Sequence, residues 1–188
     1  MSVMRVAVLA TCLATSAALA QGGAAAPAPA AATSSFQSDA AGVLGRVQQE
    51  MVSLEKAMPQ NKFGWRPAKG VRSVAEVYLH AASAAYFFGK QLGAEPPAEI
   101  SAMKDFEKQT TDKAKIEKIL TDAFAFYKGA LEKLPDSELG TTVNLFGMTL
   151  SKRAIAMVGL GHFQEHLGQS IAYARSNGVV PPWSKGEK

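Results

Sequence analysis

Apolar residues recur at intervals of three and four positions in four stretches of the sequence, which is the pattern of helices that bury one face. The first stretch predicts a helix from Phe36 to Pro59, and Pro59 ends it because proline interrupts helical hydrogen bonding. The charged residues of this stretch lie away from the apolar positions. The inward positions are Leu44, Val47, Met51, Leu54 and Met58.

A capping box marks the start of the second predicted helix. In the segment Ser73–Glu76, the serine side chain can accept from the helix backbone while the glutamate reaches back to the serine backbone. The helix is predicted to run to about Leu92. The loop before it, residues 60–72, contains Trp65, which we expect to cover one end of the core. The inward positions are Val74, Val77, Tyr78, Ala81, Ala85 and Phe88.

The third helix is predicted from about Asp112 to Leu134, and a charged connection, residues 98–110, precedes it. Residues 104–118 mix five lysines with four acidic side chains. A nucleic-acid-binding patch carries one sign of charge, so this mixture favours a solvated surface, and we expect no nucleic-acid partner. The inward positions are Ile116, Leu120, Ala123, Tyr127, Leu131 and Leu134.

The fourth helix is predicted from about Thr149 to Ser176, with Asn177 and Gly178 as its C-terminal cap. Residues 139–148 are β-prone and bounded by glycine, which predicts an extended connection or a short strand before the helix. The inward positions are Ile155, Val158, Gly159, His162, His166 and Tyr173.

Four long amphipathic segments with almost no strand predict an all-α fold, a four-helix bundle with a short extended connection before the last helix. The chain has 188 residues, of which 47% are hydrophobic, and this suits one globular domain. Cys12 is the single cysteine, and it lies in an N-terminal segment that we expect to be cleaved off, so a disulfide scaffold, a cysteine-based zinc site and a thiol nucleophile are excluded.

The N-terminal residues indicate export. Residues 1–20 combine Arg5, a short apolar run and an Ala-Leu-Ala cleavage site, so we expect a secretory signal peptide that is cut after Ala20. The apolar run is too short to span a bilayer, and no stable membrane insertion is expected after cleavage. Residues 21–35 are small residues and proline, typical of a flexible linker, which leaves residues 36–188 for the bundle. The expected location is periplasmic or secreted.

The three histidines of the chain suggest a metal site. His162 and His166 lie four residues apart on one predicted helix face, so both imidazoles can reach one ion. His80 lies on the second helix and could supply a third nitrogen. Zinc, nickel, iron and manganese all accept three nitrogen ligands. The alternative is that the three histidines are hydrogen-bonded core residues without a metal. Phe163 and Gln164 follow His162, so the zincin motif with its general base is absent.

Two separated segments resemble the hallmark motifs of the DinB-like (DinB/YfiT) family of metal-binding four-helix bundles. One runs from Trp65 to His80, and the other from His162 to Pro182, with a Leu-Phe-Gly segment between them. The resemblance spans about residues 36–183. It implies that His80, His162 and His166 are the metal ligands and that zinc or nickel is the first choice of ion, with iron and manganese as further options.

The resemblance leaves the reaction open. One hypothesis is an exported metal-dependent hydrolase or thiol-type group transferase of an unknown small molecule. The alternative is a non-catalytic metal- or ligand-binding bundle, or one whose site is degenerate. Glu76 and Glu165 lie near the histidines in sequence, yet a capping role for Glu76 and a solvated Glu165 explain them better. A homodimer is compatible with the pattern, and Phe163 and Trp183 are either interface or packing residues.

Overall fold

Four long helices form the body of the structure, a computed structural model that describes residues 34–184 and Gly186. The expected signal peptide and nearly all of the expected linker lie outside the described residues. In chain order the elements are α1 Phe36–Ala57, α2 Val74–Gln91, α3 Ala98–Ala102, α4 Lys113–Lys133, β1 Thr142–Leu145, β2 Met148–Ser151 and α5 Lys152–Ser176. The all-α bundle predicted from the sequence is confirmed.

A side-chain cap starts each of the four long helices. Ser35, Ser73, Asp112 and Ser151 each accept a hydrogen bond from a backbone N–H of the first turn. Such bonds satisfy donors that a helix start leaves unpaired. Both halves of the capping box at α2 are formed, because Glu76 also accepts from the backbone of Ser73 at 2.7 Å.

The bundle places α2 and α5 side by side and antiparallel. Near one end, the Tyr173 hydroxyl donates to the backbone oxygen of Arg72, 3.1 Å away. Further along α2, Phe88 packs edge-on against the His162 ring, with 5.7 Å between ring centroids. Residue numbers therefore rise along α2 as they fall along α5. Helices α1 and α4 complete the bundle. Helix α4 packs against α2, α1 packs against α5, and α1 and α4 pack against each other.

The core follows the predicted apolar positions closely. All of the residues predicted to face inward on the first three long helices are buried. Val158 is the exception on α5: its predicted inward position is wrong, and the residue is 45% exposed. Phe163, considered as an interface residue, is fully buried in the core, whereas Trp183 is 40% exposed. The predicted cover, Trp65, packs edge-on against Tyr173.

Two connections are more ordered than the sequence pattern indicated. The extended segment before the last helix is a β-hairpin in which Thr142 pairs with Ser151 and Leu145 with Met148. The predicted start of the last helix at Thr149 is therefore wrong, because Thr149 belongs to β2 and α5 begins at Lys152. The charged connection contains α3 and a 3₁₀ turn over Phe106–Lys108.

Within the described residues, none of the helices combines the length and the apolar character that crossing a bilayer requires.

One acidic side chain is buried in the apolar core. Glu55 of α1 is fully buried, and neither carboxyl oxygen has a hydrogen-bond partner among the described residues. Burial raises its pKa from 4.5 to about 7, against the opposing influence of Lys113. The fold therefore prefers the protonated acid, whereas the unfolded chain ionises at the ordinary pKa. This difference removes stability as the pH rises from about 4.5 to 7.

We predict that Glu55→Gln stabilises the protein increasingly as the pH rises. The advantage over wild type should grow by about 2–3 kcal/mol between pH 5 and pH 8, because only the wild type must bury a charge. Urea unfolding of both proteins at the two pH values measures it. The matched control is Glu132→Gln, which changes an exposed glutamate of α4. An advantage that does not change with pH would contradict the prediction.

Candidate metal centre

The three histidines meet between α2 and α5. His80 comes from the second turn of α2, and His162 and His166 come from successive turns of α5. Their ring centroids are 5.1 Å apart for His80 and His162, 4.6 Å for His80 and His166, and 4.5 Å for His162 and His166. One nitrogen of each ring lies within 4.8 Å of the other two. The structure thus brings together every site residue that the sequence suggested.

A carboxylate orients His80. Glu107, in the 3₁₀ turn after α3, lies 2.6 Å from Nδ1 of His80. Arg72 donates to both Glu107 oxygens, at 2.6 and 3.1 Å. Burial acts to raise the pKa of Glu107, but the hydrogen bonds from Arg72 and His80 outweigh it and leave the pKa below its ordinary value. Glu107 is therefore ionised and can only accept, so His80 donates from Nδ1 and keeps Nε2 free as a ligand atom.

A second hydrogen-bond chain orients His166. The Gln169 amide oxygen lies 2.8 Å from Nδ1 of His166, and the Gln169 amide nitrogen donates to the Tyr173 hydroxyl at 3.1 Å. That hydroxyl donates in turn to the backbone oxygen of Arg72. Because the amide nitrogen is used towards Tyr173, the amide oxygen faces the histidine. His166 accordingly donates from Nδ1 and, like His80, leaves Nε2 available.

The ring of His162 gives the strongest structural indication of a ligand at this cluster. Its Nε2 is buried and has no hydrogen-bond partner among the described residues. Burial, followed by the neighbouring His166 and His80, lowers the pKa of His162 to about 4. Burial also lowers the pKa of His166, although its hydrogen bond with Gln169 opposes the shift. Neutral imidazoles with a free nitrogen are the form that transition metals bind, so the residues present fit such an ion.

The sequence pattern did not indicate three residues of the site: Arg72, Glu107 and Gln169. Glu107 stands in the connection that the sequence described only as charged, 27 positions after His80. Its neighbours are also charged, so nothing local distinguishes it. Gln169 offered one signal, since it follows His166 by three residues and hence shares its helix face.

The two acids that the sequence placed near the histidines take other roles. Glu76 accepts from the backbone of Ser73 at 2.7 Å and from Arg66 at 3.1 Å, as its capping position predicted. Glu165 is exposed to solvent on α5.

Comparison with known proteins gives one family. The DinB superfamily model matches residues 44–170. A DinB-like protein from Bacillus subtilis superposes with a TM-score of 0.61 at 18% identity, covering 76% of this chain and 93% of that one. A DinB-like protein from Bacillus cereus gives 0.60 at 18% identity, covering 75% and 94%. A conserved protein from Enterococcus faecalis gives 0.66 at 14% identity, covering 76% and 97%. No curated protein matches the sequence.

We predict that His80 and His166 of the metal-free protein are Nδ1–H tautomers at pH 7.5. Each Nδ1 faces an acceptor, which favours the proton on that nitrogen. Long-range ¹H–¹⁵N spectra of the imidazoles distinguish the two tautomers directly. Glu107→Ala should shift His80 towards the Nε2–H form and leave His166 unchanged. Glu165→Ala is the control, and a His80 signal that ignores Glu107→Ala would contradict the assignment.

Proposed function

The chain belongs to the DinB superfamily, and from this premise we propose that it is an exported metalloenzyme, a hydrolase or thiol-type group transferase of a small molecule. His80, His162 and His166 would hold one divalent transition metal ion through their Nε2 atoms. Zinc or nickel is the proposed ion, and the all-nitrogen ligand set also accepts iron or manganese.

The observation that carries the metal proposal is the buried, unpartnered Nε2 of His162. A buried polar atom without a partner costs about 1–3 kcal/mol, and proteins rarely leave one without reason. A core histidine of purely structural use would have a hydrogen bond at this nitrogen. Here the atom instead faces two neighbouring imidazoles, whose own free nitrogens lie within 4.8 Å. A shared ion satisfies all three at once.

The residues around the cluster support chemistry at such an ion. Glu107 and Gln169 fix the ring orientation of His80 and His166. A carboxylate that accepts from a metal-binding histidine also increases the basicity of that ligand. On the core side, Phe88 and Phe163 pack against His162 and exclude water there. A divalent ion held by three neutral nitrogens supplies a Lewis acid with open positions for a water or substrate atom.

The alternative function is a non-catalytic metal-binding module in the same compartment. This alternative is favoured by the three glutamates near the cluster, because each has another role and none is free to act as a general base. Glu76 caps α2, Glu165 is solvated, and Glu107 is engaged by both Arg72 and His80. A metal-dependent turnover screen with esters, amides and thiol adducts separates the two functions, because the alternative predicts ion retention with no turnover.

The first experiment is elemental analysis of the mature chain from Gln21 onward, purified without a histidine tag. We expect about one transition metal ion per chain, and its loss in the His162→Ala/His166→Ala double variant. The matched control is Glu165→Ala, which removes an exposed potential ligand from the same helix. An ion lost during purification is restored by titration with zinc, nickel or manganese. A folded wild type that binds none of the three tightly would refute the metal centre.

Export has its own test. We predict that the mature chain is recovered outside the cytoplasm and begins at Gln21, because residues 18–20 form a small-residue cleavage site. Cell fractionation followed by N-terminal sequencing measures both. Ala20→Asp should block processing and yield the longer chain. Recovery of the wild type in the cytoplasm with its first twenty residues intact would refute export.

A further inference from the structure

The turn of the β-hairpin carries an aromatic residue that its backbone does not favour. Phe146 and Gly147 join β1 to β2, with φ values of 51° and 81°. Positive φ at both residues is the pattern of a type I′ turn, whose first position prefers Asn, Asp or Gly. For a bulky residue this conformation is sterically unfavourable. Phe146 also remains 78% exposed, so burial does not compensate.

The Phe146 ring lies on a second exposed aromatic ring. It stacks on Phe87 of α2, with 5.6 Å between centroids and 19° between ring planes. Phe87 is itself 37% exposed. The two stacked rings form an exposed apolar surface, which we call the aromatic platform. A strained turn that holds an exposed ring in a fixed place points to a use for that ring.

The aromatic platform continues from the histidine cluster. Phe87 follows His80 by seven residues, which places it on the same face of α2, about 10 Å further along. Ring contacts also link the two through the core, because the buried Phe88 touches Phe87 at 5.4 Å and His162 at 5.7 Å between centroids. On antiparallel α5, Val158 lies one turn before His162 in the same direction and is exposed. Its exposure, which the sequence did not predict, leaves an apolar side chain on the surface of α5 in this direction.

We propose that the aromatic platform binds the alkyl or aryl group of a small-molecule substrate whose metal-binding group lies at the histidine cluster. This inference rests on the proposed function and adds the substrate class: a molecule with a polar head and an apolar tail about 10 Å long. The apolar surface selects against a charged tail. A second copy of the chain is a poor occupant, since these exposed apolar side chains, with their chain neighbours Met148 and Met157 included, still offer less than the roughly 800 Å² per partner that stable interfaces bury.

Two hydroxamates that share a chelating head test the proposal on the zinc-loaded mature protein. Acetohydroxamate reaches only the ion, whereas 4-phenylbutanehydroxamate is long enough to reach the aromatic platform as well. We expect calorimetry to show at least about tenfold tighter binding of the phenylbutyl compound, the effect of burying its tail on the platform. Phe146→Asn should remove most of this preference without weakening acetohydroxamate.

The chosen variants separate ring loss from misfolding. Asparagine suits the first position of a type I′ turn, so Phe146→Asn removes the ring and keeps the hairpin. Phe87→Ala removes the other ring and should act in the same direction. Trp183→Ala is the control, because it deletes an exposed aromatic side chain at the far end of the described chain.

Each outcome decides the proposal. Loss of the tail preference in both platform variants, with the control unchanged, supports it. Equal tail preference in wild type and variants overturns it, and so does a wild type without any preference. If Phe146→Asn converts a dimer to a monomer in sedimentation while the tail preference persists, the platform is an interface between copies, and the proposal is wrong. Absence of zinc from the loaded protein instead refutes the metal centre, and the substrate proposal falls with it.

Discussion

The antiparallel packing of α2 against α5 is the contact on which the candidate centre depends. It brings His80 against His162 and His166, although 82 residues separate His80 from the nearer of the two in the chain. The same packing aligns the hydrogen bonds that hold the rings, since Tyr173 at one end of α5 contacts the backbone just before α2. A shift of one turn, about 5 Å, would separate the histidines and break that bond. The register of these two helices therefore affects both the packing of the bundle and the assembly of the candidate metal centre.

The hydrogen bonds of the histidine cluster are made by Nδ1 atoms, and they leave a ring nitrogen without a partner. Each of two histidines has Nδ1 engaged, by Glu107 or by Gln169, and the third has its Nε2 left unpaired. A structural cluster would pair the buried nitrogens with one another or with nearby acceptors. Here the hydrogen bonds orient the rings of His80 and His166, and one nitrogen of each of the three rings stays close to the other two. Burial lowers the pKa of His162 and keeps it neutral at pH 7, so the arrangement does not demand buried positive charge.

The Glu55 carboxyl and Nε2 of His162 are both buried without a partner among the described residues, and they differ in what surrounds them. Glu55 lies on α1, its carboxyl is unpartnered, and its pKa is raised because the core disfavours the charge. His162 is unpartnered as well, but it belongs to a constellation whose members converge. The contrast shows why an unsatisfied polar atom points to a ligand only when neighbouring groups share its direction.

The bundle followed from local chemistry that the sequence carries on its own. Periodic apolar residues, serine and aspartate caps, and breakers such as Pro59 define helices without reference to the rest of the chain. The His162–His166 pair could be read in the same way, because a spacing of four residues sets their relative direction within one helix.

Tertiary structure decided what depends on distant partners. Glu107 became a partner of His80 only when the charged connection folded over α2, and no local pattern distinguishes it from its charged neighbours. Val158 shares the spacing of a buried stripe, yet it is exposed, because burial of a helix position depends on which neighbouring elements pack against it. The stacking of Phe146 on Phe87 depends on where the hairpin lies against the bundle. Sequence determines local geometry through short-range sterics and hydrogen bonds, whereas side-chain partners depend on packing between elements far apart in the chain.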